Sequence, residues 1–290
     1  MNKIAESELI LNADGSIYHL NLHPHELADT VITVGDPDRV PIVSKFFDSI
    51  EIKKQKREFV THTGHYKGKR ITVISTGIGT DNIDIAFNEL DALVNINLKT
   101  REINPELKSL QIIRIGTSGA LHADIPVDSF VFSSFGLGLD GVLNFYVLEN
   151  TPEETAIIDA FREHYPSHGI LSRSYLTKVS PLMSSKVGEG LIQGMTASCS
   201  GFYAPQGRIL RYQLARPDFI PCLNAFSFKG QRITNFEMET GAMYGLARVL
   251  GHDVCSVNAI VANRITLEHT HRPEETMDEM IGMVLDRLAV

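Results

Sequence analysis

LQIIRIG, residues 110–116, is the stretch from which the fold is read. Its apolar residues run on without the alternation that a half-solvated strand shows, and it stops at a glycine. Such a run marks a strand covered on both faces, as in a sheet with helices packed on each side. Inside it stands Arg114, where an uncompensated charge costs on the order of several kcal/mol. The guanidinium must therefore meet an anion, and the sequence leaves a protein carboxylate and a bound ligand equally open.

Similar runs lie on either side: Thr30–Gly35 (TVITVG), Arg70–Gly77 (RITVISTG), Ser129–Ser133 (SFVFS) and His252–Val261 (HDVCSVNAIV). Helical periodicity falls between them. Ile83–Leu98 places apolar residues at 83, 85, 86, 87, 90, 93 and 94, one face of a 3.6-residue repeat. Glu237–Leu250 behaves likewise and stops at Gly251, a C-cap residue. Pro152–Arg162 and Pro273–Leu288 each carry proline in the first turn. Strands alternating with helices predict an α/β fold with a mixed central sheet flanked by helices, as one domain over residues 1–290. Tyr175–Arg216, rich in Ser and Gly and weak in periodicity, is expected to be a long functional loop.

The 290-residue chain is 43% hydrophobic and 21% charged, with a net charge of −8 from 27 basic and 35 acidic residues. That sign disfavours nucleic acid and anionic membrane as partners. A chain so charged must gather its arginines locally to hold an anion. Cys199, Cys222 and Cys255 form no CxxC pair, which fits a reducing, cytoplasmic setting. The first twenty residues lack an apolar leader, and no apolar run approaches the roughly 18 residues of a membrane span. A soluble protein is expected.

Five segments carry chemistry. In GDPDRV (35–40), Asp36 is expected to cap a helix whose first turn holds Pro37. Free N–H groups there would favour an anion, with Arg39 alongside; the alternative is a capped turn with a solvated arginine. RIGTSGA (114–120) sets hydroxyls and exposed amides beside Arg114, an arrangement suited to phosphate. TGIG (76–79) brings backbone close to a ligand, although glycines at such turns are routine. NFEMETG (235–241) places two carboxylates where a helix is expected to begin. They either complement its dipole or grip the vicinal hydroxyls of a sugar. GFYAPQGR (201–208) groups an aromatic ring, an amide and a guanidinium, as a pocket for a flat polar heterocycle requires; the alternative is a surface loop with a buried Phe.

In this order, together with HLNL (19–22), REF (57–59), STGIG (75–79) and VANR (261–264), these segments resemble the nucleoside phosphorylase-I family, specifically its uridine phosphorylase branch. The resemblance spans residues 19 to 264. It implies a single-domain phosphorylase/hydrolase-like fold and phosphate-dependent cleavage of a pyrimidine nucleoside, with uridine giving uracil and ribose 1-phosphate. It also implies roles. Gly35, Arg39, Arg114 and Thr117 hold phosphate, joined by Arg57 from a neighbouring subunit. Met238 and Glu239 hold the ribose, and the neighbour's His19 reaches the 5′-hydroxyl. Phe202 packs on the base, Gln206 and Arg208 read uracil, and Arg264 lies over the base pocket. A homodimer is then the minimal active unit, with a hexamer open.

Phosphate is the implied co-substrate, and the sequence holds no HExxH, Walker loop or GxGxxG to suggest a metal or nicotinamide cofactor. The monovalent-cation site of some relatives maps to Glu58, Ile78 and Asn82, with Asn in place of Ser. Purine-specific relatives carry Ser-Asp where this chain has Asn263-Arg264, so the acid that would protonate a purine N7 is missing. Residues 177–195 look like an insertion before the base loop. The competing readings are a purine nucleoside phosphorylase, a nucleosidase of the same fold, and a non-catalytic nucleoside-binding protein.

Overall fold

The computed structural model describes residues 3–165 and 173–289. Its centre is one mixed sheet of eleven strands. In chain order these are β1 (Thr30–Val34), β2 (Ser49–Lys56), β3 (Phe59–Tyr66), β4 (Lys69–Ser75), β5 (Gln111–Ala120) and β6 (Phe130–Gly138). The remaining five are β7 (Tyr175–Lys178), β8 (Ile192–Ser198), β9 (Ser227–Phe228), β10 (Gln231–Glu237) and β11 (Asp253–Asn263). The spatial order is β9-β10-β8-β6-β11-β5-β1-β4-β3-β2, with β7 on β6. A further antiparallel pairing of β10 with β5, at Asn235↔Ala120 and Phe236↔Gly119, folds one end of the sheet back on itself. Seven α-helices accompany the sheet among the described residues: α1 (Arg39–Ser44), α2 (Thr80–Asn95), α3 (Pro152–His164), α4 (Pro181–Val187), α5 (Phe219–Ala225), α6 (Thr240–Leu250) and α7 (Pro273–Leu288).

All five apolar runs are strands, and the residues between them form helices close to the expected bounds. The mixed α/β architecture is as the sequence implies. β1 is buried throughout, and β5 lies between β1 and β11 in parallel register. The main core joins these strands to the inner faces of α2, α6 and α7. Among the described residues, no helix is long and apolar enough to cross a membrane.

Three local expectations are corrected. The segment Tyr175–Arg216 is not one long loop: it contains β7, α4 and β8, and only the part beyond Ser198 is irregular. β8 (IQGMTAS) escaped notice because its buried Met195 and Ala197 alternate with the hydroxyls of Thr196 and Ser198, leaving no continuous aliphatic run. Thr196 bonds Ser133 at 2.6 Å and Asn235 at 2.9 Å inside the sheet. The stretch 177–195 is accordingly woven into the sheet and its packing, since β8 lies between β6 and β10 and α4 packs against α7 and β11. The helix after GDPD starts at Arg39, two residues later than Pro37 suggests. Asp36 does not cap that helix, because its carboxylate instead accepts from the Asp38 amide at 2.9 Å, closing a turn. Finally, Asn235–Glu237 ends strand β10, and the helix begins only at Thr240 with Glu239 in the cap position.

One close approach fixes where that helix starts. A Cβ on Gly136 of β6 would lie 2.9 Å from Gly241 Cα and 3.0 Å from the Thr240 carbonyl oxygen. A Cβ on Gly241 would lie 2.9 Å from Gly138 Cα. Backbone therefore packs on backbone, which only glycine permits. Gly136→Ala is expected to cost about 1–3 kcal/mol through overpacking. The thermal midpoint should fall accordingly, and an unchanged midpoint would refute the constraint.

Candidate active site

Where β1, β5 and β10 end, a cavity of about 650 Å³ opens. Its lining combines Gly35 and Arg39 from the end of β1 and start of α1, Arg114 and Thr117 from β5, and Glu237, Met238 and Glu239 from the β10–α6 junction. Phe202, Gln206 and Arg208 come from the loop after β8. Nine residues assigned from sequence thus meet Glu237 at a single site. Glu58, Ile78 and Asn82 also line it, beside Gly77. Gly77 has φ of +73°, and a Cβ there would come within 2.4 Å of the Asn82 amide nitrogen and 3.1 Å of the Glu58 side chain.

Arg114 decides the electrostatics. It is 6% exposed, and its guanidinium folds back over Gly116, where a Cβ would sit 1.5 Å from Nη1. Nη1 donates to Asn258 Oδ1 at 2.9 Å, across the β5–β11 pairing that sets Gly116 opposite Asn258. Nη2 donates to Glu239 Oε2 and lies 3.4 Å from Glu237 Oε2. Of the two anions the sequence left open, the chain supplies protein carboxylates, and both line the same cavity. Burial pulls the Arg114 pKa down, but the carboxylates of Glu239 and Glu237 outweigh it and hold the group above its ordinary value. Arg39 is shifted the other way, first by burial and then by the like charge of Arg114. Two guanidinium groups that repel each other across a cavity form a natural anion clamp.

Glu239 also accepts from the Gly79 amide at 2.8 Å, so the TGIG turn reaches the site through backbone. Gly79 has φ of +96°, a conformation open to glycine. Glu237 accepts from Ser198 Oγ at 2.6 Å, from the Glu239 amide at 3.0 Å and from the Thr240 amide at 3.0 Å. Burial pushes its carboxyl above the usual carboxylate range, against the pull of Arg114.

The loop after β8 is held by arginines. Gln206 is 3% exposed, and its Oε1 accepts from Arg208 Nη1 at 2.6 Å. The Arg208 guanidinium also stands 3.7 Å from the centroid of the half-exposed Phe202 ring. Arg264 is absent from the lining. It donates instead to the carbonyl oxygens of Gln206 at 3.0 Å and Gly207 at 3.4 Å, bracing the loop from behind. On the far side of this loop a smaller cavity, about 200 Å³, is lined mostly by apolar groups including Leu139, Tyr165 and Phe219. It lacks the paired arginines and carboxylates of the larger one.

His19 and Arg57 do not line this chain's own cavity. His19 is tied to Glu89, through its amide at 2.9 Å and Nδ1 at 2.6 Å. Arg57 is exposed between β2 and β3, with φ of +54°. The two lie near each other, since Tyr18 packs edge-on to His19 at 4.8 Å and the Arg57 guanidinium is 5.9 Å from the Tyr18 ring. Asn258 and Ser198 had no role in the sequence reading, and Gly116 figured there only as part of RIGTSGA. Asn258 carried a usable signal, being a lone amide inside the apolar run HDVCSVNAIV, much as Arg114 is a lone charge in its own strand.

Arg114→Ala leaves Glu237 and Glu239 buried without their cation, at a cost of about 3–5 kcal/mol. The sign of the pH dependence follows. Without Arg114 the folded-state pKa of Glu237 rises further above its unfolded value, so protonation relieves the strain at low pH. The deficit relative to the parent should therefore widen from about pH 5 to about pH 8. Urea denaturation at both pH values checks this, and a deficit independent of pH counts against it.

The geometry can be set beside known proteins. The family profile described as "Phosphorylase superfamily" matches residues 29–289. A uridine phosphorylase of Thermococcus kodakarensis is 31% identical over 278 residues, 92% of this chain and 85% of that protein. A DeoD-type purine nucleoside phosphorylase of Listeria welshimeri is 26% identical over 271 residues, 92% of this chain and 97% of its own. Among solved structures, a Trypanosoma brucei nucleoside phosphorylase described as showing uridine phosphorylase activity superposes with a TM-score of 0.88 at 27% identity. That match covers 97% of this chain and 99% of the other. A structure from work on uridine phosphorylases of Phytophthora capsici gives 0.69 at 21% identity over 99% of both chains, a likeness of fold alone. With a profile spanning most of its length and a relative above 30% identity across nearly all of it, this chain belongs to the phosphorylase superfamily.

Proposed function

We propose that the protein is a nucleoside phosphorylase that cleaves uridine with inorganic phosphate, yielding uracil and ribose 1-phosphate. The observation that carries this reading is one cavity lined together by Arg39, Arg114, Glu239, Gln206 and Arg208. Phosphate carries about −1.5 to −2 charge at neutral pH. Gly35, Arg39, Arg114 and Thr117 bind it, and charge-assisted bonds contribute roughly 1.5–3 kcal/mol each. Met238 and Glu239 hold the ribose between phosphate and base, with the Glu239 carboxylate accepting from the sugar hydroxyls.

As the glycosidic bond breaks, the sugar takes on oxocarbenium-like charge and the base becomes anionic. Arg208 fixes the Gln206 amide by donating to Oε1, so amide and guanidinium together offer donors to the uracil oxygens where charge gathers. Such donors act on charge that develops only in the transition state, which is where they raise the rate. Phe202 stacks on the base, and Arg264 contributes by anchoring the loop. Asn263-Arg264 supplies no acid to protonate a purine N7, and this favours the pyrimidine.

His19 and Arg57, clustered around Tyr18 and outside their own cavity, serve the site of a second copy of the chain, making a homodimer the minimal active unit. A hexamer is compatible with that dimer. The reaction takes phosphate as co-substrate and calls on no organic cofactor. Three free cysteines suit a cytoplasmic enzyme.

Assayed against a nucleoside panel, the protein should turn over uridine only when phosphate is present, and inosine should react slower by roughly a hundredfold. Phosphate-independent release of uracil would identify a nucleosidase instead, and preference for inosine a purine enzyme. Gln206→Ala should lower kcat/KM for uridine by about 100- to 1000-fold, as loss of a transition-state donor does. Its phosphate KM should barely move; a parallel loss of phosphate affinity would place Gln206 in a structural network.

A further inference from the structure

Two carboxylates stand against one guanidinium, and they are not equivalent. Glu239 meets Arg114 directly, yet its other protein partner is a single backbone amide, that of Gly79. Glu237 lies 3.4 Å from the same nitrogen and is fixed by a hydroxyl and two amides. Every one of those partners is a donor, so the geometry fits an ionised acceptor. Ser198, which grips Glu237, is in turn held by the Gly241 amide at 2.7 Å. Glu237 is thus built into the junction of β8, β10 and α6 and cannot follow a ligand.

Nucleoside and phosphate make competing demands on this arrangement. The Arg114–Glu239 contact engages the carboxylate oxygen that a sugar diol requires, so the nucleoside must loosen it, whereas phosphate is drawn to the guanidinium and repelled by the carboxylates around it. A buried arginine stripped of its carboxylate would be costly. We propose that Glu237 is a positioning residue for the reaction, a fixed counter-ion that keeps Arg114 in place while Glu239 passes from the guanidinium to the sugar hydroxyls. Asn258, bonded to Nη1, steadies the other side of the group. This proposal rests on the phosphorolysis reading above and adds to it a division of labour between the two carboxylates.

Glu237→Gln keeps the size of the side chain and removes its charge. Arg114 then depends on Glu239 alone, which ties that carboxylate to the guanidinium and withholds it from the sugar. The expected result is a split: KM for uridine rises about tenfold or more, the equivalent of one charge-assisted contact, while KM for phosphate is unchanged or lower. A merely structural role would move both constants together or neither, and either outcome overturns the proposal.

A second variant guards against misfolding of the first. Glu239→Gln leaves Glu237 as the only carboxylate on Arg114. Phosphate binding, measured by calorimetry without turnover, should stay within about threefold of the parent while uridine binding weakens tenfold or more. Loss of phosphate binding in this variant would show that Glu237 does not hold Arg114 and would sink the inference. The two readings fail separately. A parent protein without phosphorolysis removes the function itself, whereas an active parent whose variants show no split removes only the role of Glu237.

Discussion

A guanidinium placed inside a sheet has to be answered by charge, and the way Arg114 is answered organises this protein. Its partners arrive from separate parts of the fold: Asn258 from the neighbouring strand, Glu237 from the end of β10, and Glu239 from the cap of α6. The space it occupies exists because residue 116 has no side chain. A burial cost of several kcal/mol is met only when all these pieces are in place, so folding and site assembly are one event. The same demand explains why the sheet bends back at the β10–β5 pairing, which carries the two carboxylates to the end of β5.

The start of α6 is the second fixed point. Gly136 and Gly138 on β6 let Gly241 approach backbone to backbone, and Ser198 ties the Gly241 amide to Glu237. Position in the chain alone would leave Glu239 free to turn with a fraying helix terminus. Locked to the sheet, it keeps a defined place beside Arg114. The site therefore sits on strand ends and a helix start, with rigid backbone behind each charged group.

The loop after β8 is made differently. It is an irregular loop whose order comes from side chains: Arg208 bonds the Gln206 amide and stacks on Phe202, and Arg264 holds two of the loop's carbonyl oxygens. Burial and the mutual repulsion of Arg208 and Arg264 lower the pKa of Arg208, although both remain cationic.

The sequence by itself determined the α/β class, five of the buried strands, the four longest helices and the arginines, because long aliphatic runs, helical periodicity and a charge in an apolar strand are local signals. Nine of the lining residues received phosphate, ribose or base roles from motifs and family resemblance. Strands β8 and β10 were not legible, because buried Thr, Ser and Asn break up their apolar residues (Met195 and Ala197, Ile233 and Phe236) and satisfy one another only across the sheet. Nor could any local pattern say that Glu237 is immobilised, that Gly116 makes room for a guanidinium, or that Arg264 braces the loop from outside the cavity. Those roles depend on distances between residues far apart in the chain, and such distances exist only once the sheet has closed.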